Sequence, residues 1–271
     1  MGIIKFLEDK ALWVRKETLK IHKIAKEIRI ASCLSDIEIF VVLYYGKILK
    51  FDSKNVSWKN RDRFIISKGH GAVSLYPILA DLGFFDKKEL RKVCQDGSIF
   101  GSMPDPLIPG FETVTGSLGH GLGVGCGIAL ALKKKKIKAN VFVLLGDGEL
   151  YEGAVWESIM FASHHKLGNL ILIVDNNKRS MLDYCKNIID LEPLEEKFKV
   201  FNWKVKIVDG HNVDELYSTL KDLKKEQSNQ PKVLIANTIK GKGVSKLESD
   251  PLCHIRSLNE KEIDEAIRKL K

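Results

Sequence analysis

The chain has 271 residues, 44 of them Lys or Arg and 35 Asp or Glu, for a formal net charge of +9. With 44% hydrophobic residues, 21 Gly and 7 Pro, it can build a core of its own, and disordered, collagen-like and low-complexity classes are excluded. No apolar run reaches membrane-spanning length: the nearest, residues 122–132, holds 11 residues, three of them Gly. Lys5, Glu8 and Asp9 stand where a signal peptide needs an apolar block, and Phe6 where a myristoylation signal needs Ser or Thr. A soluble, cytoplasmic protein is expected, with no membrane partner.

In chain order, residues 8–29 read as an amphipathic helix with Ile21, Ile24 and Ile28 on one face. A second, more apolar helix covers about 34–49. Residues 63–67 form a short strand, and 73–82 a helix ending at Gly83. From 97 to 119 the chain is rich in Gly, Pro, Ser and Thr, the mark of a structured loop. A Gly- and Ala-rich helix follows to Leu132. It ends in Lys133, Lys134, Lys135 and Lys136, with Lys138 just beyond, where lysines complement the helix dipole and stay solvated. No aromatic residues interleave to stack on bases, so nucleic acid is not an expected partner. Anionic sugar phosphates or an acidic partner fit the charge.

Four apolar runs come next, at 141–145, 170–174, 204–208 and 233–236, with a helix expected over 152–167. Apolar strands separated by helices predict an α/β fold, a doubly wound, mostly parallel sheet with helices on both faces. A single domain over 1–271 is expected, with an N-terminal helical extension of about 1–55. Five cysteines, Cys33, Cys94, Cys126, Cys185 and Cys253, form no short zinc or redox motif and are expected as free buried thiols.

Sites in such folds lie outside the carboxyl ends of the strands. After the first strand comes Ser-Lys-Gly-His-Gly at 67–71, and after the next Gly-Asp-Gly-Glu at 146–149. Asp-Asn-Asn follows at 175–177 and Asn-Thr-Ile-Lys-Gly-Lys-Gly at 237–243. Asp147 and Asn177, 30 residues apart at two strand ends, offer hard oxygen ligands suited to Mg²⁺ or Ca²⁺. One carboxylate leaves such a site short of charge, so a phosphate should complete it. Gly146 and Gly148 let backbone approach that phosphate.

The stretch from Gly146 to Asn177 resembles the thiamine-diphosphate motif, which opens Gly-Asp-Gly and closes Asn-Asn about thirty residues later. Asp-Arg-Phe-Ile-Ile-Ser-Lys-Gly-His-Gly at 62–71 resembles transketolase more narrowly. So do Gly-Phe-Glu-Thr-Val-Thr-Gly-Ser-Leu-Gly-His-Gly at 110–121 and Thr-Ile-Lys-Gly-Lys-Gly-Val at 238–244 followed by His254. These matches run in family order over roughly residues 10–260, half of an ordinary transketolase.

The resemblance implies the N-terminal subunit of a split, two-subunit enzyme that moves a two-carbon ketol unit between sugars. It would be inactive without a C-terminal, pyrimidine-binding partner, in an α₂β₂ assembly. Asp147, Asn177 and the Arg179 carbonyl would hold the metal. Gly148 and Glu149, with Gly116, Ser117 and Leu118, would touch thiamine diphosphate, joined by Ser32 on a weaker alignment. Lys240 and His254 would reach its diphosphate and the donor, and His70 its thiazolium and the substrate, which makes His70 and His254 the catalytic pair. Glu152 and Glu157 would join a carboxylate network between subunits. His22, His164, His165 and His211 lie outside the matched motifs and are expected to be structural or solvated.

Three departures stand out. Arg29 and Met103 replace histidines that face the donor sugar, and His120 replaces a common glutamine. Arg cannot act as a base at neutral pH and Met cannot carry a proton. Three readings stay open: ketol transfer on a specialised or nucleotide-linked sugar; a thiamine-dependent 2-oxo-acid decarboxylase or acyl transferase; and a non-catalytic assembly subunit.

Overall fold

The computed structural model describes residues 2–270. Five strands, β1 (Arg63–Ile66), β2 (Val141–Gly146), β3 (Leu170–Asn176), β4 (Lys204–Asp209) and β5 (Lys232–Asn237), form one sheet in the order β1-β2-β3-β5-β4. Every pairing is parallel.

Side chains alternate across a strand, so an apolar run feeds two cores at once. Phe142, Leu144, Ile171, Ile173 and Leu234 point to one face. There they meet α1 (Ile3–Ile24), α2 (Ile30–Ser35), α3 (Ile37–Tyr44) and α4 (Tyr76–Asp81). Val141, Val143, Leu170, Leu172 and Val233 point to the other, under α5 (Gly121–Lys134), α6 (Gly153–His164) and, beyond the short α7 (Cys185–Ile188), α8 (Leu194–Val200). The remaining helices, α9 (Val213–Lys225), α10 (Ser245–Ser249) and α11 (Glu260–Lys269), return to the first face. The doubly wound α/β expectation holds.

Crossovers in one direction run over one face and the reversal from β4 to β5 runs over the other through α9, as right-handed connections require. The chain leaves β1 and β5 toward the first face and β2 and β3 toward the second. A crevice opens where those departures diverge, above the carboxyl ends of the strands.

The structure corrects several local expectations. The first helix begins at Ile3 and stops at Ile24, so Ile24 is 45% exposed and Ile28 is buried from a loop. The expected helix at 34–49 is α2 and α3, with a junction at Asp36. Residues 69–75 wind as a tight 3₁₀ turn before α4 because Pro77, lacking an N–H, fits only the first turn of a helix. The run at 204–208 is an edge strand in which only Val208 is buried. Cys33, Cys126 and Cys253 are buried free thiols, whereas Cys94 and Cys185 are half-exposed. Among the described residues no helix is long and apolar enough to cross a membrane.

His22 locks the C-terminal segment onto α1. Its Nε2 accepts the Leu258 N–H at 3.1 Å, which fixes a neutral tautomer, and burial lowers its pKa to about 4. A lowered imidazole stabilises the fold above its unfolded pKa near 6.5, and that support drains away as pH falls toward 4. Wild-type protein should therefore lose more urea resistance between pH 7 and pH 5 than His22→Gln. Parallel losses in the two proteins would contradict this.

Candidate active site

The register sets the floor of the crevice. Gly146 pairs with Asp175, and Asn176 with Asn237, so Asp147, Asn177 and Thr238 all lie one step past their strand ends. A cavity of about 310 Å³ opens there. Asp147, Asn177, Arg179, Gly148, Lys240 and His254 line it, and so do Ser32, His70, Leu118 and Glu149. Residues from seven separate stretches meet at one place.

Asp147 is 6% exposed. Its Oδ1 accepts the Gly148 N–H at 2.7 Å and its Oδ2 the Lys178 N–H. Burial, with Asp175 nearby, raises its pKa to about 6 against the opposing pull of Lys240. Such a carboxylate is short of positive charge. Asn177 donates Nδ2 to Asp175 Oδ2 at 2.9 Å, which fixes the amide orientation, and its Oδ1 accepts the Arg179 N–H at 3.1 Å, with a second lone pair to offer.

The donor set is one carboxylate, one amide oxygen and one carbonyl. Among the described residues no cluster of three His, Cys, Asp or Glu side chains can hold a metal by itself. This is the arrangement a hard cation accepts when an anion completes its shell. Nothing in the chain's packing excludes a side chain at Gly148, where a Cβ would meet only ordinary contacts with Ser180 at 3.4 Å. The fold itself therefore does not require glycine at this position.

His70 and His254 stand edge to face with ring centroids 5.0 Å apart. Ser32 Oγ lies 3.3 Å from His254 Nδ1. Burial first, then the charges of Arg29, Lys68 and Lys240, lowers His70 to about 4. Burial, then Lys240, His70 and Arg29, lowers His254 to about 3. Both rings are neutral at pH 7.

Several expected residues stand apart. Gly116 and Ser117 are exposed and do not line the cavity. His120 is exposed at the start of α5, with Nδ1 3.0 Å from the Leu118 carbonyl. Arg29, half-buried at the head of α2, lies off the cavity wall although its charge reaches both imidazoles. Met103 also lies off the wall; its Sδ is 3.0 Å from where a Cβ on Gly69 would stand, next to His70. Glu149 lines the cavity, but its oxygens are taken by Ser67 Oγ and by the N–H groups of Gly119 (2.8 Å) and Gly146 (3.2 Å). It braces β1, β2 and the Gly-rich loop to one another. Glu152 and Glu157 are exposed on α6.

Sequence reasoning missed the buried charge network beneath the cavity. Lys68 Nζ reaches Asp36 Oδ1 at 2.6 Å, Ser35 Oγ at 3.1 Å and Asp175 Oδ2. Thr238 Oγ1 donates to Asp175 as well. Although burial opposes it, the Lys68 ammonium holds Asp175 well below the usual carboxylate range. Burial pushes Asp36 well above that range, against the pull of Lys68. The Arg179 guanidinium was also missed. It binds the carbonyls of Glu248 (2.6 Å) and Asp250, and so steadies the segment that carries His254.

Residues 25–271 match the family "Transketolase, thiamine diphosphate binding domain". The chain belongs to the transketolase family. It is 37% identical over 266 residues to the 6-deoxy-6-sulfo-D-fructose transketolase subunit of Clostridium sp. (strain MSTE9), covering 97% of this chain and 96% of that one. It is 38% identical over 239 residues to an apulose-4-phosphate transketolase subunit of Actinobacillus succinogenes, covering 88% and 86%. The transketolase crystal structure from Campylobacter jejuni superposes with a TM-score of 0.92 at 31% identity, over 100% of this chain and 43% of that one. The chain thus spans under half of the full-length transketolases it matches, and it matches their thiamine-diphosphate-binding portion.

Proposed function

We propose that the chain is the N-terminal, diphosphate-binding subunit of a two-subunit transketolase acting on a specialised sugar. One observation carries this reading: Asp147, Asn177, Arg179, Gly148 and Lys240 line a single cavity with two neutral imidazoles. Two relatives of matching length are named as transketolase subunits, which supports a separate C-terminal partner and leaves the decarboxylase reading without support.

In this reading Asp147, Asn177 Oδ1 and the Arg179 carbonyl hold Mg²⁺ or Ca²⁺, and Gly148 N–H and Lys240 bind the diphosphate. Thiamine diphosphate supplies the carbon nucleophile and stores the two-carbon unit. His70 and His254, neutral at pH 7, accept a proton from a donor hydroxyl and return it to the product alcohol. Lys240, by pairing with the net negative charge of a metal–diphosphate, would depress both imidazoles less and leave them nearer neutral pKa, where proton transfer works best. Ser32 aligns His254 through Nδ1. Leu118, which lines the cavity, would touch the middle of the cofactor, with Gly116 and Ser117 beside it in the loop.

Met181 and Ile188 line the cavity and are exposed, an apolar rim for the partner's pyrimidine-binding domain to cover. Val124, Met160 and Phe161 are exposed on α5 and α6 beside Glu152 and Glu157, and suit contact with a second copy in an α₂β₂ assembly.

The test is calorimetric titration of thiamine diphosphate with Mg²⁺ into this chain, alone and with the chain encoded beside it. Tight binding that needs the neighbour is expected. No binding in either case would end the proposal. Arg29 and Met103 set the substrate from outside the cavity wall, Arg29 by the planar charge that reaches both imidazoles and Met103 by its place against Gly69, next to His70. Arg29→His combined with Met103→His should raise activity on common ketose phosphates by about tenfold or more, since a positioned base is worth at least that. An unchanged kcat/KM would remove both residues from the account.

A further inference from the structure

Lys240 is buried, 5% exposed, and its Nζ donates to the carbonyls of Arg179 and Ser180, each at 3.0 Å. The first of these is the carbonyl assigned above to the metal. The backbone on both sides is pinned. Ile239 N–H donates to His211 Nε2 at 2.8 Å, and Gly241 N–H to the Ala31 carbonyl at 2.9 Å. Gly241 takes a φ of +83°, and a Cβ there would stand 2.5 Å from Leu247 Cβ. With that backbone held, this stretch can answer a ligand only through the Lys240 side chain.

The charges around it are unequal. Lys68, the other ammonium at this floor, is matched by Asp175 and Asp36. Both hydrogen-bond acceptors of Lys240 are neutral carbonyls, and Asp147 spends its oxygens on backbone N–H groups. A divalent cation held by Asp147, Asn177 and the Arg179 carbonyl would share that carbonyl with an ammonium in a water-poor cavity, where like charges repel strongly. A diphosphate reverses the balance, because its oxygens neutralise the cation and the ammonium together.

We propose that Lys240 makes metal and diphosphate binding interdependent: its ammonium opposes a bare divalent cation at the Arg179 carbonyl and favours that cation once a diphosphate lies between them. This rests on the reading of the cavity as a metal–diphosphate site. The coupling is reciprocal, so diphosphate without metal also binds less well than the pair.

The probe is Mn²⁺, with bound ion counted by electron paramagnetic resonance at fixed free Mn²⁺, with and without inorganic diphosphate. The full chain is used, alone and with its C-terminal partner. Without diphosphate, Lys240→Met and Lys240→Gln should bind Mn²⁺ about fivefold tighter than wild type, and the enhancement produced by diphosphate should shrink by about fivefold or more, within the usual range of coupling between sites. Lys240→Arg keeps the charge and should keep the enhancement, which separates charge from damage to the fold. Variants that bind Mn²⁺ no tighter than wild type, or that keep the full enhancement, would overturn the role of Lys240 and leave the site reading standing. A wild-type protein that takes up no Mn²⁺ even with diphosphate would overturn both.

Discussion

Asp147→Asn is expected to lower metal-dependent cofactor binding by about 100-fold or more, since even groups that only orient a metal ligand are worth 10–100-fold. The same substitution should leave a second signature in the ligand-free chain. Burial raises the Asp147 carboxyl from 3.8 to about 6. A raised carboxylate means that the folded state holds its proton more tightly than the unfolded state. Its ionisation therefore costs stability, and the cost grows from near zero below pH 4 to its full value above pH 6. A shift of about two pH units corresponds to about 3 kcal/mol. Asn carries no such cost, whatever fixed offset its amide introduces against the Gly148 and Lys178 N–H groups. The stability difference between variant and wild type should move toward the variant by about 3 kcal/mol between pH 4 and pH 7, read by urea unfolding. With the partner subunit present, adding Mg²⁺ and thiamine diphosphate should restore the wild type and not the variant, because a bound dication favours the ionised carboxylate. A pH-independent difference would mean that Asp147 is already compensated and does not wait for a cation.

The sheet was legible because its strands are buried on both faces and read as unbroken apolar runs at 141–145 and 170–174. Edge strand β4 was harder to read: Lys204 and Lys206 alternate with apolar residues, and only the three-dimensional order reveals that it has a single neighbour. Helix boundaries failed where local chemistry competes with periodicity. Pro77 restarts a helix, and Asp36 divides α2 from α3 because its side chain is needed by Lys68. The cavity-lining residues were legible as motifs, since Gly, Asp, Asn and Lys at strand ends are informative in one dimension. The network below them was not. Asp36 and Lys68 lie 32 positions apart, and Lys68 and Asp175 lie 107 apart. Nothing in the linear pattern pairs a lysine with two acids contributed by different elements. Glu149 was read only in part for a related reason: it lines the cavity, as an acid next to Gly-Asp-Gly suggests, but its bonds to Ser67, Gly119 and Gly146 require the fold to be seen.

That network yields the sharpest stability contrast. Asp175 is ionised and accepts from Lys68, Thr238, Ser35 and Asn177. Burial pushes the Asp36 carboxyl well above the usual carboxylate range, against the pull of Lys68, and its Oδ2 is buried without a partner among the described residues. Asp36→Asn keeps an oxygen for Lys68 and gives up a charge that burial already disfavours, so it should cost under about 1 kcal/mol. Asp175→Ala strips four donors of their acceptor and breaks a buried ion pair, for a loss of about 3 kcal/mol. The loss is held to that figure because Asp36, already 2.6 Å from Lys68, remains as its acidic partner. In the double variant that reserve is gone and the ammonium is buried unpaired. The combined loss should exceed the sum of the single losses by about 1–2 kcal/mol, the range seen for residues sharing one network. Gly71 supplies an independent check. A Cβ there would stand 1.8 Å from Asp36 Oδ2, so Gly71→Ala must push the carboxyl away. Its cost should be large in the wild type and small in the Asp36→Ala background. Equal costs in the two backgrounds, or strict additivity of the Asp36 and Asp175 substitutions, would show that the two acids do not share Lys68 in solution.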